Sequence, residues 1–142
     1  MASTLPVDDV RGQGRLTTAA PDASRRAAIA AGAASEKNGF DVVVLDVGDI
    51  ISITEMFVLV SASNTRQVRT IAEEVELALK ASDGEGPRAV EGLDDASWVL
   101  MDYGDVIVHV FLQETRGYYD LDRLWADAPV VDWEPLAAVQ SR

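Results

Sequence analysis

Apolar residues fall into short β-branched runs and one stripe at helical spacing. Val42-Val43-Val44-Leu45-Asp46-Val47 has strand length and is closed by Gly48-Asp49. Met56 to Ala62 forms a second run, reached through a short link at Ile53-Thr54, and the two strands are expected to pair as neighbours. Val68, Ile71, Ala72, Val75 and Leu79 then recur at the spacing that lines one side of a helix. Asn64 is the expected cap of that helix, with Gln67 as its capping-box partner; Ser82-Asp83-Gly84-Glu85-Gly86-Pro87 stops it near Ala81. A short strand near Arg88 to Glu91 is expected to complete a right-handed βαβ unit with the strand before the helix.

Upstream, Asp22 is the expected N-cap of an Ala-rich helix over Ala23 to Lys37, stopped by Asn38-Gly39. Met1 to Pro21 is rich in Ser, Thr, Gly, Asp and Ala, shows no sustained periodicity, and reads as a disordered leader. Downstream, Glu114 to Trp125 carries Tyr118, Leu121, Leu124 and Trp125 at helical spacing, a short amphipathic helix. Residues 126–142, with Pro129 and Pro135, read as a tail extended over the surface. Strands interleaved with helices over 22–125 make one α/β domain.

Ser97 to Leu112 holds two apolar strands around Gly104-Asp105, a pair suited to a tight turn. Side chains alternate along a strand, so Val99, Met101 and Tyr103 share a face with Val106, Val108, Val110 and Leu112. That face is almost wholly aliphatic and is expected to lie against helices. The opposite face carries Trp98, Leu100, Asp102, Ile107, His109 and Phe111. Large aromatics mixed with an acid and an imidazole suit a surface that binds a partner yet is wet part of the time. The same six residues admit another reading, a second core layer in which His109 is buried and the helix that follows caps Trp98.

Charge narrows the partner. The net charge is −12, and between Val42 and Trp125 there are 16 acidic and 6 basic residues. Such a surface repels phosphate backbones, so little direct nucleic-acid contact is expected. A basic protein is favoured, because complementary charge speeds encounter; the acidity also serves solubility. No cysteine is present, which excludes disulfides and thiolate metal sites and suits the cytoplasm. The N-terminus has no apolar run of signal-peptide length, and no stretch reaches the roughly 20 apolar residues that span a bilayer.

Catalytic groupings are sparse. With His109 as the sole histidine, multi-histidine metal sites are impossible. A Ser triad would need His109 and an acid such as Asp102, both within the hairpin, and no nucleophile elbow occurs. Neither a Walker loop nor a Gly-rich dinucleotide fingerprint is present. Asp102 and Asp105 straddle a Gly turn, where carboxylates are usually turn formers rather than Mg²⁺ ligands. No metal and no cofactor is expected.

Leu45-Asp46-Val47, Ile53-Thr54-Glu55-Met56-Phe57-Val58 and Ser61-Ala62-Ser63-Asn64-Thr65-Arg66-Gln67-Val68 resemble the N-terminal half of the ribosomal silencing factor (Iojap-like) family. Val90-Glu91-Gly92, the string from Trp98 to Phe111, and Tyr119-Asp120-Leu121-Asp122-Arg123-Leu124-Trp125 resemble its C-terminal half. The resemblance runs from about Val42 to Trp125 in one order. Departures are Ser61-Ala62-Ser63 in place of a small residue and Gly, Glu55 where Asp is common, and Ser97 before Trp98.

The resemblance implies a mixed sheet of about five strands with helices packed on it, similar to nucleotidyltransferases but without their catalytic site. It also implies a translational repressor acting in nutrient shortage. Family members bind the large ribosomal subunit at its interface protein (universal large-subunit protein fourteen) and keep the small subunit from joining. Two other readings stand beside it. A degenerate nucleotidyltransferase would need a Gly-Ser pair and paired acids for two metal ions. Ser61-Ala62-Ser63 lacks the Gly, and Asp46 has no Asp two residues away. A homodimerisation module would turn the same aromatic face on a second copy.

Overall fold

Residues 21–140 are described in a computed structural model. The expected leader therefore lies outside the described residues, except Pro21, which opens helix α1 (Pro21–Glu36). Proline suits a first helical position because its missing N–H would be unbonded there anyway. Asp22, expected as the cap, instead occupies the first turn, where its charge complements the helix dipole. Strands β1 (Phe40–Asp46) and β2 (Met56–Ala62) follow and pair antiparallel as expected.

Helix α2 (Thr65–Asp83) is capped by Asn64 as expected, while the Gln67 side chain reaches back one residue beyond the cap, to Ser63. Gln67 N–H donates to Asn64 Oδ1 at 2.8 Å, and Ser63 N–H donates to Gln67 Oε1 at 2.7 Å. After it come β3 (Ala89–Glu91), β4 (Trp98–Asp102) and β5 (Val106–Leu112). The turn between β4 and β5 is Gly104-Asp105, closed by Tyr103 N–H donating to Val106 C=O at 2.9 Å. Gly104 sits at φ 89°, a conformation glycine reaches without steric cost.

These strands and a sixth form one mixed sheet in the order β3-β4-β5-β2-β1-β6. The expected βαβ unit is present only in part: β3 runs parallel to β2, but β5 and β4 lie between them. β5 takes the place beside β2, pairing with it in parallel from Met56↔Val106 to Ala62↔Leu112. Central strands are covered on both faces, and the apolar run of β5 suits that position better than the three residues of β3.

The segment after β5 differs most from expectation. The single helix expected over Glu114 to Trp125 is two, α3 (Gln113–Tyr119) and α4 (Leu121–Leu124), broken at Asp120 with φ 53°. The tail is not extended. Val130–Val131 forms β6 on the open edge of β1, and Glu134–Gln140 forms α5 against α1. A Cβ built on Gly32 would stand only 3.3 Å from the Ala137 Cβ, so small residues set this close helix crossing. Two β-branched residues are too few to show periodicity, which is why the sequence pattern missed the strand.

On one face of the sheet, α1 presents Ala23, Ala27, Ala30, Ala31 and Ala34, and α2 presents Val68, Ile71, Val75 and Leu79. They bury Val44, Val58, Val60, Val99, Met101, Val106, Val108 and Val110. The aliphatic hairpin face therefore lies against the helices, as the alternation predicts. Arg26, nearly buried, ties the helices to the β4–β5 turn through ion pairs to Asp83 (2.9 Å) and Asp105, with its guanidinium 5.4 Å from the Tyr103 ring centre.

Gly92 sets where β4 starts. At φ 92°, a Cβ there would lie 2.1 Å from the Trp98 carbonyl oxygen, a backbone atom that cannot step aside. Gly92→Ala is expected to cost about 2 kcal/mol or more of folding stability, read by urea unfolding. Gly86→Ala, with open space at the same test, is the control and is expected to change little.

Candidate functional site

Strand register brings the six hairpin residues into three cross-strand pairs on the face away from α1 and α2. Trp98 lies opposite Phe111, Leu100 opposite His109, and Asp102 opposite Ile107. The neighbouring strand continues the rows with Ser61, Leu59 and Phe57. Alternation thus places all six on one face, but not all six at the surface.

Phe111 is 0% exposed and His109 4%, so neither is an accessible contact residue. They belong to a second apolar layer with Leu45, Val47, Phe57, Leu59 and Ala128. The chain leaving β5 folds back over this half of the sheet, and Leu121 and Trp125 pack down on it. For these two residues the core reading holds. Trp98, Leu100, Asp102 and Ile107 are half-buried.

The layer is organised by its rings. Trp98 stands 5.0 Å from Phe111 and 4.9 Å from Tyr119, centre to centre. Phe57 meets His109 edge-on at 4.8 Å and Trp125 edge-on at 5.3 Å. Such tilted and edge contacts suit the ring quadrupoles. Trp98 Nε1–H donates to His109 Nδ1 at 3.2 Å. Indole nitrogen can only donate, so this imidazole nitrogen must carry the lone pair, and a neutral ring carries its proton on Nε2. Burial pushes the His109 pKa down to about 4, which keeps the ring neutral near pH 7.

Around the half-buried residues lie exposed apolar groups that the sequence pattern did not assign to the site. Tyr119 is 53% exposed, Leu124 69% and Tyr118 81%. A single amphipathic helix groups Tyr118, Leu121, Leu124 and Trp125 on one stripe. The left-handed turn at Asp120 splits that stripe, sending Leu121 and Trp125 inward and leaving Tyr118 and Leu124 outside, with Tyr119 half-exposed against Trp98. The signal was the Tyr119-Asp120 pair, since Asp tolerates the left-handed conformation better than most residues.

The resulting surface is an apolar strip of Trp98, Leu100, Ile107 and Tyr119, with exposed Leu124 one short helix further along the chain. Along its outer side, exposed Glu91 pairs with Leu100, and Asp102 pairs with Ile107. Asp102 also forms the turn, its Oδ1 accepting from Gly104 N–H at 2.8 Å.

The groups that catalysis would recruit are otherwise engaged. Ser61 Oγ accepts from Arg116, Asp46 Oδ1 accepts from Gly48 N–H, and Asp105 faces Arg26. Among the described residues, no three His, Asp or Glu side chains come together as a metal site. No helix of the described residues is long and apolar enough to cross a membrane.

The neutral His109 has a consequence for stability. An unfolded histidine titrates near pH 6.5, the folded one near pH 4. Between those values the unfolded chain binds the extra proton, so stability is full above about pH 6.5 and falls toward pH 4. His109→Gln is expected to lose less stability than wild type between about pH 7.5 and about pH 5, measured by urea unfolding. Equal losses in the two proteins would contradict a buried neutral imidazole.

The chain matches the model of the family described as "Ribosomal silencing factor during starvation" over residues 20–142. It is 39% identical over 104 residues to the ribosomal silencing factor RsfS of Bacillus subtilis, covering 73% of this chain and 87% of that one. A mouse protein named for mitochondrial assembly of the ribosomal large subunit is 29% identical over 92 residues, covering 63% of this chain and 40% of its own length. A crystal structure of a Chromobacterium violaceum protein superposes with a TM-score of 0.68 at 33% identity, covering 71% of this chain and 83% of that one. With the family match spanning every described residue, the chain belongs to the ribosomal silencing factor family.

Proposed function

We propose that this protein is a cytoplasmic translational repressor that acts by binding, without catalysis. It docks on the large ribosomal subunit at a basic interface protein, universal large-subunit protein fourteen, and its bulk keeps the small subunit from joining when nutrients are scarce. The observation that carries this reading is the apolar strip of half-buried Trp98, Leu100 and Ile107 with exposed Tyr119, and exposed Leu124 at the end of α4, on a chain of this family. Aromatic and aliphatic side chains flanked by carboxylates suit a protein partner whose contact surface is apolar at its centre and basic at its rim. The name of the mouse relative, which refers to the ribosomal large subunit, favours that subunit over the small one.

A homodimer formed through the same strip is the second reading, favoured by the exposed Tyr119 and Leu124. Sedimentation separates the two. The protein is expected to travel with purified large subunits and to reduce the yield of joined ribosomes when small subunits are added. Self-association with no large-subunit binding would promote the dimer.

Trp98 and Leu124 test the docking surface in different ways. Trp98 touches Phe111, His109 and Tyr119, so Trp98→Ala is expected to lower both stability and affinity. Leu124 is 69% exposed, and its truncation is expected to leave stability within about 0.5 kcal/mol of wild type. Leu124→Ala should nevertheless weaken large-subunit binding about fivefold or more, as for a residue at an interface. Unchanged affinity in both variants would remove the strip from the interface.

Charge should appear as salt dependence. With a net charge of −12, affinity is expected to fall as salt rises, because exposed pairs are screened beyond a Debye length of about 8 Å at physiological ionic strength. Apolar contacts are expected to leave residual binding at high salt. A flat titration would remove electrostatics from docking.

A further inference from the structure

Two exposed residues of the proposed docking surface, Tyr119 and Leu124, sit at the ends of helices too short to hold their own shape. α3 has 7 residues and α4 has 4. Isolated helices of that length do not persist in water. Among the described residues, α4 meets the aromatic layer through Leu121 and through Trp125 just after it, both of them partly exposed. What fixes the angle of the α3–α4 corner is a single guanidinium.

Arg116 is 9% exposed, rare for a charged residue, and each end of its fork is occupied. Nε donates to Asp122 Oδ1 at 3.0 Å and Nη2 donates to Asp122 Oδ2 at 2.8 Å. Nη1 donates to Ser61 Oγ at 3.0 Å and to the Asp41 carbonyl oxygen. One side chain on α3 thereby joins α4 to the end of β2 and the start of β1. The chain is bent on both sides of this junction, with Asp41 at φ 50° and Asp120 at φ 53°. Planar two-point pairing fixes direction as well as distance, which a point charge does not do. The Arg116 bonds also hold the Asp122 carboxyl below its ordinary pKa.

We propose that Arg116 and Asp122 are a positioning pair for the docking surface: they hold Tyr119 beside Trp98 and fix the direction in which α4 presents Leu124 before any partner arrives. The inference rests on the docking reading above and names what shapes that site. Neither residue needs to touch the partner. Without the pair, α3–α4 samples other orientations and only a fraction of molecules presents the complete strip. Apparent affinity then falls by that fraction.

Asp122 is the end to change, because its side chain is 44% exposed and the substitution leaves the sheet intact. Asp122→Asn keeps the shape and loses one carboxylate oxygen and the charge. Asp122→Glu keeps the two-oxygen fork. The experiment measures large-subunit affinity and amide hydrogen exchange for wild type, both Asp122 variants and Leu124→Ala. In Asp122→Asn, affinity is expected to fall about tenfold, as when the competent orientation holds about a tenth of the molecules. Exchange should quicken over 113–125 while β2 and β5 keep their protection. Asp122→Glu is expected to bind within about threefold of wild type.

A merely stabilising role would lower the melting temperature but leave the affinity of folded molecules unchanged. Asp122→Asn binding as tightly as wild type while Leu124→Ala binds weakly would overturn the positioning role and leave the docking surface standing. Equal weakening by Asn and Glu would overturn it too, since the fork would then be irrelevant. Wild-type affinity in both Leu124→Ala and Asp122→Asn would remove the docking reading and this inference together.

Discussion

The parallel pairing of β5 with β2 is the constraint on which the rest depends. It places the most apolar segments of the chain at the centre of the sheet, Val58 and Val60 beside Val108 and Val110. Both faces of that centre need covering, because neither strand carries enough polar side chains to face water. One face is closed by α1 and α2 with small and branched aliphatics. The other is closed only in part, by a short return of chain carrying Leu121, Trp125 and Ala128. Function is proposed for the part left open.

That partial covering explains why large aromatics serve two roles here. Phe57, His109 and Phe111 form a floor that water does not reach. Trp98 lies across this floor, anchored by its bond to His109 and by the Tyr119 ring, with one part buried and another accessible. A rigid ring fixed from beneath loses little conformational freedom on binding, which favours affinity. The carboxylates further along the face, Glu91 opposite Leu100 and Asp102 opposite Ile107, add charge at the edge rather than under the rings, where desolvation would be costly.

Much of this architecture was legible in the sequence because it follows from local rules. The cap at Asn64, the stripe from Val68 to Leu79 and the sorting of hairpin side chains each need only a few consecutive residues. What escaped depends on distant partners. Val130–Val131 became a strand because β1 had an open edge, and β5 displaced β3 from beside β2 because it could be buried on both faces. The site was legible as a face but not as a surface. Alternation selects Phe111 and His109 together with Trp98, and nothing local says which of them the returning chain will cover. Arg116 was equally opaque, since Asp41 and Ser61 lie far from it in sequence and Asp122 is ordinary among many acidic residues.

The central claim is that the open strip, and not another part of the surface, faces a basic protein of the large subunit. Site-specific photocrosslinking tests it most directly. A benzophenone side chain in place of Leu124 at the end of α4 is compared with one in place of Leu77, which is 57% exposed on α2 across the sheet. The account predicts that the probe at Leu124 captures one basic large-subunit protein while the probe at Leu77 captures none. Capture of that protein only from Leu77, or capture of ribosomal RNA or a second copy of the chain from Leu124, would contradict it.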